Sequence, residues 1–221
     1  MPHDFIDLSH TVEHGMITYD GLPGPLICDF LSREASRKIY AEGTEFHIGK
    51  IEMVANTGTY LDSPFHRYPN GFDLSELPLT SLADLEPSVI RVADRVSRPI
   101  DAFDLRGKDL KNRAVLIHTN WSRHWRREQY FNAHPFLTAD AADYLATCGA
   151  RLVGIDSYNI DDTADLARPV HSTLLGAGIP IVEHMTGLDG LPNGGFRFFA
   201  VPVKVKDFGT FPVRAFALMR H

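Results

Sequence analysis

Apolar residues gather along this chain in short runs rather than in long helical stripes. Ala114–Thr119, Leu152–Ile155 and Ile179–Glu183 are continuous apolar runs of strand length and predict buried strands. Phe196–Val205 and Val213–Met219, rich in Phe and Val, predict two more. His47–Val54 predicts a strand with Ile51 and Met53 on one face and Glu52 on the other. Helical spacing is rarer. Thr138–Ala150 sets Ala141, Leu145 and Cys148 on one face, with Thr138 as a candidate cap and Gly149 near the end. Leu79–Leu85 predicts a short helix. Gly21–Pro25 and Tyr68–Gly71 are turn signals in a loop-rich first third. No repeat, low-complexity tract or Ser/Gly-rich linker divides the chain, so residues 1–221 read as one domain. Strands outnumber helices, which predicts an α/β architecture with a mixed central sheet.

Composition narrows the class without naming a function. The chain has 221 residues, 44% of them hydrophobic and 23% charged, which excludes disordered and collagen-like polymers. The net charge of −6 lacks the footprint expected for binding nucleic acid or an anionic membrane. The start, Met1–Phe5, has neither the basic residues nor the apolar run of a signal peptide, and no apolar run reaches the roughly 20 residues of a membrane span. A soluble, cytoplasmic protein is expected. Two cysteines, Cys28 and Cys148, fit a reducing compartment. Eleven histidines point to metal or acid–base chemistry, or are in the main scattered over the surface.

Two segments concentrate candidate chemistry. In Asn56–His66, Gly58 and Pro64 break any helix, so a loop carries Asp62 and His66 four residues apart. Aspartate and histidine suit a divalent metal and also form an acid–base pair. Equally, Asp62 can cap a turn while His66 lies at the surface. The second segment runs from Asp156 through Asp161 and Asp162 to Pro169-Val-His171, and Glu183 follows at the end of another apolar strand. An ionised carboxylate there needs a cation, a metal or several donors, unless it emerges into solvent. Phe65, Trp121 and Trp125 offer flat pocket walls, or plain packing, and packing is the expectation for Phe46. His47, His118, His124, His134 and His184 read as structural or supporting residues.

Taken together, these residues resemble the cyclase family of metal-dependent hydrolases, which includes bacterial kynurenine formamidases and isatin hydrolases. The family motif runs His-x-Gly-Thr-His-x-Asp-x-Pro-x-His, and the matching stretch here is Asn56-Thr-Gly-Thr-Tyr60-Leu-Asp62-Ser-Pro-Phe-His66. Ile6–His10, Val115–Trp121, Val153–Ser157, Pro169–His171, Ile181–Glu183 and Pro212–Arg214 follow in the family's order. The resemblance implies a barrel-like mixed sheet flanked by helices, the swivelling β/β/α fold. It implies one divalent ion per chain, zinc or manganese, on Asp62, His171 and Glu183, with His66 as acid–base. Asn56 and Tyr60 replace the motif's first two histidines, so the family's other metal position loses both nitrogen ligands. Tyr60 is then expected to donate to the oxyanion, and Asn56, Phe65 and Trp121 to contact substrate. The implied reaction is hydrolysis of a small-molecule amide, lactam or lactone, and the implied assembly a homodimer or homotetramer. Two other readings stay open: a metal-free lyase or isomerase using His66 and Tyr60, and a binding protein on a degenerate site.

Overall fold

A computed structural model describes residues 4–93 and 98–219. In chain order the strands are β1 (Phe5–Asp7), β2 (Leu26–Leu31), β3 (Ile48–Glu52), β4 (Tyr60–Asp62), β5 (Pro87–Arg91), β6 (Pro99–Ile100), β7 (Ala114–His118), β8 (Phe136–Leu137), β9 (Leu152–Ile155), β10 (Ile181–Glu183), β11 (Phe196–Phe199), β12 (Thr210–Pro212) and β13 (Phe216–Met219). The helices are α1 (Arg33–Ser36), α2 (Ala102–Leu105), α3 (Ala139–Cys148) and α4 (Pro169–Gly176).

The expected mixed sheet is present. Six strands run in the order β12-β4-β10-β9-β7-β5. β5, β7, β9 and β10 are parallel, and β4 and β12 complete the sheet antiparallel. A second sheet, β1-β13-β11, is antiparallel throughout. It touches both edges of the first: Leu85, just before β5, bridges Phe198, and β12 leads through Val213 towards β13. The two sheets thereby close, barrel-like, around a shared core.

Strand alternation divides the apolar residues between two cores. Leu116, Leu152 and Val182 face inward with Leu61, Phe196 and Phe198. Val115, Ile117, Val153, Ile155 and Ile181 face outward, where Leu145 of α3 and Leu174 of α4 cover them. Continuous apolar runs are needed because both faces are buried. Gly154 belongs to this packing: a Cβ there would lie 2.6 Å from Met185 Sδ.

Several expected elements differ in extent. Only Leu79–Ser81 forms a helical turn, of 3₁₀ type. The run from Phe196 stops at Phe199, where its pairing with β13 ends, and Pro202 has no N–H to extend it. Thr138 precedes α3 but caps no backbone N–H, because its hydroxyl binds the Asp140 carboxylate and the Ile100 carbonyl. Gly149 does end α3, in the left-handed region at φ 75°. β3 pairs only with β2 in a hairpin that joins no described core cluster, so both its faces are exposed, Ile51 included. Phe46 beside it is exposed too, contrary to the packing expected for it. Among the described residues no helix is long and apolar enough to cross a membrane.

Candidate active site

β4 is three residues long and buried throughout. Its alternation sends Leu61 into the core and presents Tyr60 and Asp62 on the opposite face. Antiparallel register sets Glu183 of β10 opposite Tyr60, and Thr210 of β12 opposite Asp62. Both cross-strand pairs are hydrogen-bonded: Tyr60 O–H donates to Glu183 Oε2 at 2.6 Å, and the Thr210 hydroxyl binds Asp62 Oδ1. The 3₁₀ turn Pro64–His66 then folds His66 back, so that its Nδ1 lies 2.8 Å from Thr210 Oγ.

His171 arrives from the other side, on the first turn of α4. Asp161 holds it there. One carboxylate accepts the backbone N–H groups of Val170 at 2.7 Å and His171 at 3.0 Å, and the His171 ring Nδ1 lies 2.6 Å from it. Ring Nε2 is thereby aimed at the sheet, 3.7 Å from Asp62 Oδ2 and 3.9 Å from Glu183 Oε2. Of the three expected metal ligands, His171 thus stands near both carboxylates, while Glu183 lies outside the tightest cluster. That cluster takes in His66: one ligand atom each from Asp62, His66 and His171 lie within 4.8 Å of one another.

Asp62 supplies the fit test for a metal. Its Oδ2 is buried and has no hydrogen-bond partner. A buried carboxylate oxygen with no hydrogen bond is costly unless a cation meets it, and His171 Nε2 stands 3.7 Å away, beyond hydrogen-bond distance. Carboxylate oxygen with imidazole nitrogen is the donor set of zinc and manganese sites. The residues present fit such an ion.

The charges are strongly coupled. Burial opposes a charge on His171, but Glu183, Asp161 and Asp62 outweigh it and raise this histidine to about 10. Burial pushes Glu183 up to about 7, against the pull of His171. Burial opposes the Asp62 charge as well, yet His66 and His171 hold the carboxyl below its usual range. Burial and then Glu183 push Tyr60 well above the ordinary phenol value, so it stays a neutral donor. Its single proton goes to Glu183, which corrects the expected donation to an oxyanion.

A cavity of about 310 Å³ opens onto these groups. Asn56, Tyr60, His66, His171 and Glu183 line it, and Asn56 also sits beside the Tyr60 hydroxyl. Phe65 and Trp121 are not on its wall. Trp121 is buried against Tyr130 and Tyr158, with its indole N–H on the Tyr130 carbonyl. The Phe65 backbone N–H binds the Phe72 carbonyl in the turn beyond. Asp156 is structural: it accepts the Thr119 and Asn120 backbone N–H groups and the Thr119 hydroxyl.

Asp161 stood in the second candidate segment without a role of its own, and Thr210 was passed over. Asp161 carried a usable signal, a carboxylate ahead of a Pro-initiated helix. Thr210 carried none, since only sheet register brings it to Asp62. A carboxylate on the far nitrogen of a ligating histidine typically strengthens metal affinity 10–100-fold. Asp161→Asn keeps a capping side chain, so it is expected to fold normally and bind zinc about 10–100-fold more weakly by calorimetric titration. Unchanged affinity would reduce Asp161 to a helix cap.

Behind Tyr60 lies a layer of aromatic rings and histidines. His10 stacks on Trp125 at 3.9 Å between ring centroids, and the His184 ring donates from Nε2 to the Tyr158 carbonyl, its buried Nδ1 having no hydrogen-bond partner. Burial lowers His10 to about 4 and His184 to about 3. The folded chain thus refuses protons that the unfolded chain takes up below its ordinary histidine value near 6.5. Their contribution is complete above that value and is lost as pH falls towards 4. Each steepens the acid limb by about 1.4 kcal/mol per pH unit. Urea unfolding at pH 7 and 5 is expected to show this loss, and His10→Phe, which retains a ring against Trp125, to shrink it.

Comparison with known proteins places this arrangement. The family model described as Putative cyclase matches residues 6–162. Kynurenine formamidase of Bacillus cereus is 28% identical over 216 residues, covering 96% of both chains. A solved protein from Bacillus stearothermophilus, described as a predicted metal-dependent hydrolase, superposes with a TM-score of 0.79 at 26% identity over the full length of both chains. Isatin hydrolase A of Labrenzia aggregata shares the fold, with a TM-score of 0.83 at 22% identity over 99% of this chain and 94% of its own.

Proposed function

The chain belongs to the cyclase family, and from that premise we propose that it is a metal-dependent hydrolase of a small-molecule amide, lactam or lactone. One observation carries the reading: the unpartnered, buried Asp62 Oδ2 facing His171 Nε2 at 3.7 Å. The kinship with kynurenine formamidase along nearly the whole chain supports the amide. Asp62, His171 and Glu183 would hold zinc or manganese, two carboxylates offsetting the charge of a divalent ion. Such an ion supplies Lewis-acid polarisation of a carbonyl and acidifies a water molecule.

His66 is the proton carrier. A carboxylate only accepts, so the Thr210 hydroxyl gives its proton to Asp62 Oδ1. Its oxygen then accepts from His66 Nδ1–H. In the neutral ring this puts the proton on Nδ1 and leaves a lone pair on Nε2, able to take a proton from water and return it to a leaving nitrogen. The His66 side chain is 36% exposed, which connects it to solvent. Tyr60 and the Ile160 N–H hold the two Glu183 oxygens in place.

A metal-free reaction with Tyr60 as acid is less well supported, because the Tyr60 proton is engaged by Glu183. The test is activity on an aryl formamide, with a lactam and a lactone in parallel. Chelation is expected to remove turnover and zinc or manganese to restore it. Turnover indifferent to chelation would contradict the metal, and inactivity on all three would contradict the reaction class. We propose also that the chain works as a dimer or tetramer. The exposed Phe30, Phe46, Ile48 and Ile51 of the β2–β3 hairpin support self-association, and a monomer in sedimentation at high concentration would contradict it.

A further inference from the structure

The wall of the cavity also carries two arginines, Arg67 and Arg168, with Tyr19, Leu22 and Leu166. Several arginines elsewhere in this acidic chain sit on carboxylates, Arg113 on Asp109 and Glu86, Arg197 on Asp84 and Arg214 on Asp7, while others, such as Arg91 and Arg151, are held by neutral groups away from the cavity. Among the described residues neither Arg67 nor Arg168 is paired with an acidic side chain. Arg168 Nη1 donates to the Asp162 carbonyl at 3.0 Å. Arg67 Nε donates to Ser172 Oγ at 3.3 Å, and its guanidinium lies 5.4 Å from the Tyr68 ring centre. Each side chain is anchored by neutral groups, which leaves most of its N–H donors uncommitted.

The backbone contributes to this display. Arg168 adopts left-handed φ 49° and ψ 58°, an unfavourable conformation for a residue with a side chain. The turn reverses the chain just before Pro169 opens α4, and the guanidinium ends on the cavity wall. Strain of this kind persists where surrounding structure enforces it, commonly at ligand sites. Two uncommitted guanidinium groups, with leucine and tyrosine side chains on the same wall, match a compact apolar body that carries a carboxylate. A cavity of about 310 Å³ holds a molecule of roughly one ring.

We infer that Arg67 and Arg168 select a carboxylate on the substrate, so that the molecule cleaved is a small anionic amide whose carboxylate meets these arginines while its scissile group lies at Asp62, His66 and His171. The word substrate rests on the hydrolase reading; the anion site does not. Benzoate and benzamide, alike in shape and different in charge, separate the two by calorimetric titration. Wild-type protein is expected to bind benzoate at least about tenfold more tightly than benzamide. Arg67→Gln with Arg168→Gln is expected to erase that preference, and Arg168→Lys to retain part of it. Asp62→Asn, which removes the metal anchor, is expected to leave it intact. Equal affinity for the two probes, no binding of either, or a preference indifferent to the arginine changes would overturn the inference. A preference lost in Asp62→Asn but kept in the arginine variants would place the anion on the metal and overturn it as well. Failure of the hydrolase reading shows instead as absence of turnover with the benzoate preference unchanged.

Discussion

Asp62→Asn is expected to strip the protein of its metal and to lower turnover by more than about a hundredfold, beyond what loss of a supporting carboxylate costs. Asp62 is wholly buried, and its two oxygens do different work. Oδ1 takes the Thr210 hydroxyl, which in turn accepts from His66 Nδ1–H. Oδ2 has no hydrogen-bond partner, and His171 Nε2 lies 3.7 Å from it. Asparagine preserves volume and one acceptor, so the sheet register at Thr210 survives. It removes the charge that an ion needs. Metal analysis beside circular dichroism checks this: a folded variant with its metal and turnover intact would remove Asp62 from the site.

Gly209→Ala is the second large effect, and it acts by shape alone. Gly209 accepts the Ser63 N–H at 2.7 Å and packs flat against the next turn. A Cβ there would lie 2.6 Å from both Cα and N of His66. These are backbone atoms that no rotamer change can move, so the His66 turn must shift bodily. Misplacing a catalytic group by about 1 Å can cost 10²-fold in rate, and overpacking of this kind typically costs about 1–3 kcal/mol of stability. Turnover is therefore expected to fall about a hundredfold while metal content stays near wild type. A variant with normal turnover would show that the position of His66 does not matter to the reaction.

Much of the fold was legible because both faces of the main sheet are buried. Ala114–His118 and Leu152–Ile155 needed apolar residues at every position, and such runs stand out in a sequence. The strand Ile48–Glu52 has the composition of a half-buried strand yet, among the described residues, pairs only with β2 and joins no core cluster, and composition does not reveal that. In the site, Asp62, His66, His171 and Glu183 were legible because ligating side chains are few and lie in recognisable order. Trp121 misled: an aromatic residue near a candidate segment is as readily a packing residue, and here Tyr130 and Tyr158 claim it. The partners that set each group's protonation and aim were hidden. Thr210 meets Asp62 across a strand pair 148 residues apart in sequence, and Arg67 and Arg168 share a cavity wall that no local pattern foretells.

The most direct test counts metal ions in protein purified without chelator, for wild type, Glu183→Gln and His66→Ala. Ligation by Asp62, His171 and Glu183 predicts about one zinc or manganese ion per chain in wild type and His66→Ala, and less than about a tenth of that in Glu183→Gln. A wild-type chain that neither carries nor takes up an ion would contradict the metal itself. Metal kept by Glu183→Gln and lost by His66→Ala would move the ion to Asp62, His66 and His171, and leave the proton carrier unassigned.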